Sequence, residues 1–114
     1  MTLPGHPFLS TRDDTLWLEG APLAELARRF GTPLYVYCEQ TVRSMCREYL
    51  AAFRGAYANA HVEFSSKALP LRLVTRLAAD EGLHVDVVSG GELAVALAGG
   101  VPAERLNFHG NNKT

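Results

Sequence analysis

Residues 1–20 mix polar and apolar side chains around Pro4, Pro7 and Trp17 with no clear period. A helical pattern starts at Pro22, a residue that a first helical turn tolerates, and continues through Leu23, Leu26, Ala27 and Phe30. Gly31 supplies its stop. The run Pro33-Leu34-Tyr35-Val36-Tyr37-Cys38 is short, aromatic and β-branched, and predicts a strand. From Glu39 to Phe53, the residues Val42, Met45, Cys46, Tyr49, Leu50 and Phe53 fall on one helical face, and Gly55 is expected to end that helix.

Beyond Gly55 strand and helix alternate. Val62 to Ser66 is strand-like, and Pro70 opens a helix through Leu73, Val74 and Leu77 that closes before Gly82. Leu83-His84-Val85-Asp86-Val87-Val88 reads as a buried strand, Glu92 to Ala98 as a helix closed by Gly99-Gly100, and Leu106-Asn107-Phe108 begins a third strand. Strands at this regular interval with a helix between them predict parallel βαβ units. A closed eight-stranded α/β barrel takes about 250 residues, so the sequence reads as the front part of a larger α/β protein, or as a truncated one.

Composition narrows the class. With 114 residues, 47% hydrophobic, 20% charged and a formal net charge of −1, the chain has the make-up of an ordinary globular domain. A near-neutral balance argues against a nucleic-acid partner, which needs a basic face. The opening ten residues lack a signal-peptide pattern, and no apolar run approaches the ~20 residues that span a bilayer, so a cytoplasmic location with no membrane partner is expected. Cys38 and Cys46 fit neither a zinc pair nor a redox pair and are expected as buried free thiols. Of the eleven Lys and Arg residues, only Lys67 and Lys113 are lysine. Lysine can lose its proton and attack a carbonyl, whereas arginine cannot.

In α/β folds, reactive groups collect at the C-terminal ends of parallel strands. Those ends here carry Ser65-Ser66-Lys67, then Asp86 with Ser89-Gly90-Gly91, then His109-Gly110-Asn111-Asn112. Lys67, flanked by small residues, can project into a cleft and be partly desolvated, which frees its lone pair; a solvated strand-end cation is the plainer alternative. Asp86 interrupts an apolar run. In a strand buried on both faces its carboxylate needs a partner, either Lys67 or a cofactor cation, or else a backbone or arginine contact. Ser89-Gly90-Gly91-Glu92 could cradle an anion, but it reads more readily as a helix cap with an acid in the first turn. The dinucleotide fingerprint GxGxxG is absent. His109 is one of four histidines, and no spacing suggests a metal site.

These residues resemble a known family. Phe64-Ser65-Ser66-Lys67-Ala68-Leu69 resembles the Tyr-Ala-x-Lys-Ala block of the fold-type III pyridoxal-phosphate enzymes. Val85-Asp86-Val87-Val88-Ser89-Gly90-Gly91-Glu92-Leu93 is similar to a block of the diaminopimelate decarboxylases, as is Asn107-Phe108-His109-Gly110-Asn111-Asn112-Lys113-Thr114. Gly31-Thr32-Pro33-Leu34-Tyr35-Val36-Tyr37 resembles the family's entry to the same domain. Ser65 stands where the family carries Ala, and Leu69 where ornithine and arginine decarboxylases often place Asn, which points away from that branch.

The resemblance implies an α/β fold, the N-terminal part of a (β/α)8 TIM barrel of the alanine racemase/ornithine decarboxylase type, with about three of the eight barrel strands present. It implies an N-terminal segment over residues 1–38, helix plus strand, that joins a β-domain in the full-length family, and a partial cofactor-binding barrel over residues 39–114. The cofactor implied is pyridoxal 5′-phosphate. Lys67 would be the catalytic lysine that carries it, with Asp86 beside it, His109 lining the rim, and Glu92 at a further acidic position near the site; no metal is implied. The implied activity is decarboxylation of meso-2,6-diaminopimelate to L-lysine and CO2, on a small amino-acid substrate, by a homodimer. Alternatives are another basic amino-acid decarboxylase, a non-catalytic pyridoxal-phosphate binder or an inactive truncated product. An alanine racemase lacks support, because its extended lysine block is missing at Lys67 to Pro70. The family's phosphate loop, Glu-Pro-Gly-Arg segment, acidic Cys and late Tyr would fall beyond residue 114, so the chain alone is expected to be incomplete and inactive.

Overall fold

The computed structural model describes residues 2–3, 6–111 and 113; Pro4, Asn112 and Thr114, named above, lie outside the described residues. The chain forms two compact units, residues 1–41 and 42–114.

The first unit is built on a four-stranded antiparallel sheet in sequential order: β1 (Thr2–Leu3), β2 (His6–Arg12), β3 (Thr15–Leu18) and β4 (Ala21–Pro22). This corrects the reading of the opening stretch as patternless. Arg12 pairs with Thr15 across Asp13 (φ 46°) and Asp14 (φ 55°), and Leu18 pairs with Ala21 across Glu19 (φ 49°) and Gly20 (φ 89°). Positive φ at both turn residues gives a two-residue connection the twist that hairpin strands require. The signal was therefore in the Asp-Asp and Glu-Gly pairs. The Arg12 guanidinium sits over the Trp17 ring, 5.0 Å from its centroid.

Helix α1 (Leu23–Phe30) follows at the expected place, and Gly31, at φ 82°, closes it with its N–H on the Ala27 carbonyl at 2.9 Å. Pro33 to Cys38 is not a strand. It is irregular chain that pairs with no strand among the described residues, and Tyr35 and Tyr37 are 86% and 54% exposed. Aromatic and β-branched composition marks a surface suited to a pleated neighbour, and strand structure follows only where that neighbour exists.

In the second unit, α2 (Glu39–Ala56) starts where the pattern predicts but runs past Gly55, because the Tyr57 N–H still bonds to the Phe53 carbonyl at 2.8 Å. A glycine in a last turn costs only about 1 kcal/mol. Cys46 and Leu50 of this helix pack with Ala78 and Leu83. Cys38 and Cys46 are both buried free thiols, and burial, aided by nearby Glu81, pushes the Cys46 thiol up. Glu81 accepts from Arg43 Nη1 at 2.8 Å and from Arg47 Nε and Nη2 at 2.5 and 2.8 Å, which fastens α2 to the chain just after α3 (Arg72–Asp80).

The strands β5 (Glu63–Ser65), β6 (His84–Val87) and β7 (Leu106–Phe108) form a parallel sheet in that order, with α3 and α4 (Gly90–Ala98) as the connecting helices. Their register pairs Phe64 with Val85 with Leu106, and Ser65 with Asp86 with Asn107. Side chains alternate across a strand. One face therefore presents Phe64, Val85, Val87, Leu106 and Phe108, which pack with Ala79, Leu93, Ala96 and Val101. The other presents Glu63, Ser65, His84, Asp86 and Asn107, and an Asn107 amide N–H donates to the Glu63 carboxylate. The expectation of a strand buried in apolar surroundings on both faces is thus corrected for β6: Val85 and Val87 are fully buried, while His84 and Asp86 are half-buried on a polar side. α3 and α4 meet closely at Gly99, where a Cβ would lie 2.8 Å from the Arg72 carbonyl oxygen and 3.1 Å from Thr75 Oγ1.

Candidate active site

The C-terminal ends of β5, β6 and β7 all lie on one rim, since the three strands are parallel. Lys67 is not the last residue of a strand. It sits one step further, in a three-residue 3-10 turn, Ser66–Ala68, and it is exposed. Asp86 is the register partner of Ser65 and accepts a hydrogen bond from Ser65 Oγ at 3.3 Å. Among the described residues its hydrogen-bond partner is thus a serine hydroxyl, neither Lys67 nor an arginine. His109 follows β7, with its side chain exposed and its backbone N–H on the Val87 carbonyl at 2.9 Å, continuing the ladder to the rim.

Ser89 caps α4: its Oγ accepts the Glu92 N–H at 3.2 Å, as the cap reading expects. Glu92 does more than favour the helix dipole. Its Oε2 accepts Ser66 Oγ–H at 2.5 Å and the Val88 N–H at 3.1 Å. The Ser66 hydroxyl is the main reason its carboxyl sits below the usual carboxylate range; burial opposes the shift, and Val88, Ser89 and the charge of Lys67 add to it. Sequence reasoning missed Ser66, which occupies the variable position of the lysine block. Only its adjacency to Lys67 and the presence of an acid at the next rim could have drawn notice.

The rim thus offers an exposed primary amine just past β5, a half-buried carboxylate on β6 and an imidazole just past β7. These side chains fit a small aldehyde-bearing cofactor, which needs an accessible amine and polar neighbours. Among the described residues no group of His, Cys, Asp and Glu could hold a metal ion, and no helix is long and apolar enough to cross a membrane.

Parallel strands joined by helices, with a lysine beyond the first strand and an acid on the second, are the arrangement found at the C-terminal rim of α/β folds. Residues 40–114 match the family described as pyridoxal-dependent decarboxylase, pyridoxal binding domain, and the chain belongs to that family. It is 56% identical over 99 residues to the diaminopimelate decarboxylase of Actinosynnema pretiosum, covering 87% of this chain and 22% of that protein. It is 47% identical over 110 residues to the diaminopimelate decarboxylase of Mycobacterium tuberculosis, covering 95% of this chain and 24% of the relative. Among solved structures it is similar to the diaminopimelate decarboxylase from M. jannaschii in co-complex with L-lysine, at TM-score 0.81 and 33% identity, covering 98% of this chain and 27% of that one. The chain spans about a quarter of the length of the curated relatives it matches. The β5–β6–β7 sheet and its helices are the N-terminal part of a (β/α)8 barrel.

Proposed function

We propose that this chain is the amine-bearing N-terminal portion of a diaminopimelate decarboxylase, which removes CO2 from meso-2,6-diaminopimelate to leave L-lysine. The observation that carries the reading is the exposed Lys67 amine, held on the rim of a parallel sheet whose next strand end presents Asp86. The names of the relatives, and the L-lysine bound in a similar structure, support the substrate. When bound, pyridoxal phosphate supplies an electron sink for the pair released as the carboxyl group leaves.

In this reading Lys67 holds the cofactor through its amine. Asp86, which accepts the Ser65 hydroxyl, lies beside the cofactor in the same reading. His109 lines the third strand end. Residues 1–38 join a β-domain, the protein works as a homodimer, and its compartment is the cytoplasm.

The test is direct. The protein expressed from its complete reading frame is incubated with pyridoxal phosphate, reduced with borohydride and mapped by peptide mass. Modification at Lys67 is expected; modification at Lys113 in its place would sink the assignment.

A further inference from the structure

We propose that Glu92 is a positioning residue for Lys67, acting through the buried hydroxyl of Ser66. The inference rests on the reading of Lys67 as the cofactor-bearing amine. Lys67 lies in a turn of three residues, closed by one backbone hydrogen bond from the Leu69 N–H to the Ser66 carbonyl at 3.1 Å and lacking a side-chain cap. A single 3-10 turn has poorer hydrogen-bond geometry than an α-helix, so contacts from outside the turn weigh more in setting its orientation.

Ser66 provides the attachment. It is completely buried, so its hydroxyl has to be satisfied within the protein. Its proton goes to Glu92 Oε2 at 2.5 Å, a short charge-assisted bond, and the same oxygen takes the Val88 N–H at 3.1 Å. The Glu92 backbone is fixed by its own N–H on Ser89 Oγ. One carboxylate therefore joins the turn after β5, the end of β6 and the first turn of α4. A long, flexible lysine side chain magnifies any tilt of the turn at its amine, and small misplacements of a reacting group are costly.

Capping alone does not explain this arrangement. Ser89 caps α4 without help from Ser66, whereas the Ser66 hydroxyl is what hydrogen-bonds the turn to the Glu92 carboxylate. The hydrogen bond from Ser66 also keeps the Glu92 carboxyl ionised to lower pH than usual, which preserves the acceptor.

The experiment compares the parent protein, expressed from its complete reading frame, with Ser66→Ala, Glu92→Gln and the double variant. Each is treated with pyridoxal phosphate and borohydride, and separately with formaldehyde and borohydride; the rate at Lys67 is read relative to Lys113. Each single variant is expected to slow pyridoxal-phosphate modification of Lys67 about fivefold or more, because a charge-assisted hydrogen bond is lost. The double variant is expected to fall within about twofold of the slower single one, since both cut the same link. Formaldehyde, which asks only whether the amine is accessible, is expected to react as before. Unchanged rates with pyridoxal phosphate would overturn the inference, leaving Glu92 as a helix cap. Equal slowing with both reagents would overturn it too, because the amine would then have been buried. Failure of pyridoxal phosphate to modify Lys67 in the parent protein would instead remove the functional reading itself. The two single variants cut the link from opposite ends, so one that does not fold leaves the other to decide.

Discussion

Glu81 holds two guanidinium groups on one carboxylate: the hydrogen bonds from Arg47 and then Arg43 pull its carboxyl from the ordinary 4.5 to about 2. A carboxyl whose folded value is depressed stabilises the fold fully above its unfolded value and loses that contribution as pH falls through the folded one. The window here runs from 4.5 down to about 2. Urea denaturation at a series of pH values is expected to show Glu81→Gln less stable than the parent near neutrality, with the gap closing across that window. A gap that persists at the acid end would mean that the ion pairs contribute nothing. Residue type, scarcity and position near a strand end are what singled out Lys67 in the sequence. Ser66 was not singled out, because burial of a hydroxyl and the reach of Glu92 across two elements depend on the folded register and leave no local mark.

At the scale of elements, α3 and α4 meet at a tight point. Gly99 lets the end of α4 approach the Arg72 carbonyl so closely that a Cβ would stand 2.8 Å away, against backbone that cannot swing aside. Gly99→Ala is expected to cost about 1–3 kcal/mol by overpacking, measured as a fall in unfolding free energy with an unchanged denaturant slope. The helices and the three parallel strands were readable in the sequence, since period and glycine stops agree there. The antiparallel sheet of residues 2–22 was hidden, because β1 and β4 have two residues each and cannot display a period. Pro33 to Cys38 misled for the opposite reason: it has strand composition without a partner. Asp86 was recognised, but its setting was not, since alternation in His84-Val85-Asp86-Val87 reads as a polar face only once both neighbouring strands are in register.

At the scale of the whole molecule, the described sheet has β5 and β7 as open edges, and Leu71, Leu73 and Leu97 are exposed around it. Unpaired parallel edges beside exposed apolar side chains favour association. The 114-residue polypeptide, purified by itself, is expected to sediment as species larger than a monomer and to release no CO2 from diaminopimelate with added pyridoxal phosphate. A stable monomer that turns over substrate would contradict both the barrel architecture and the placement of the site.

The row Ser65–Asp86–Asn107 also sets which changes of length the protein can absorb. Because side chains change sides at every step along a strand, inserting or deleting one residue within β6 would send Asp86 among the helices and turn Val85 or Val87 toward the polar side. A two-residue change would keep the sides but carry the acid out of line with Ser65. Drift in length is therefore confined to the connections, such as Tyr57 to His61, while the strands that hold the rim can vary only by substitution.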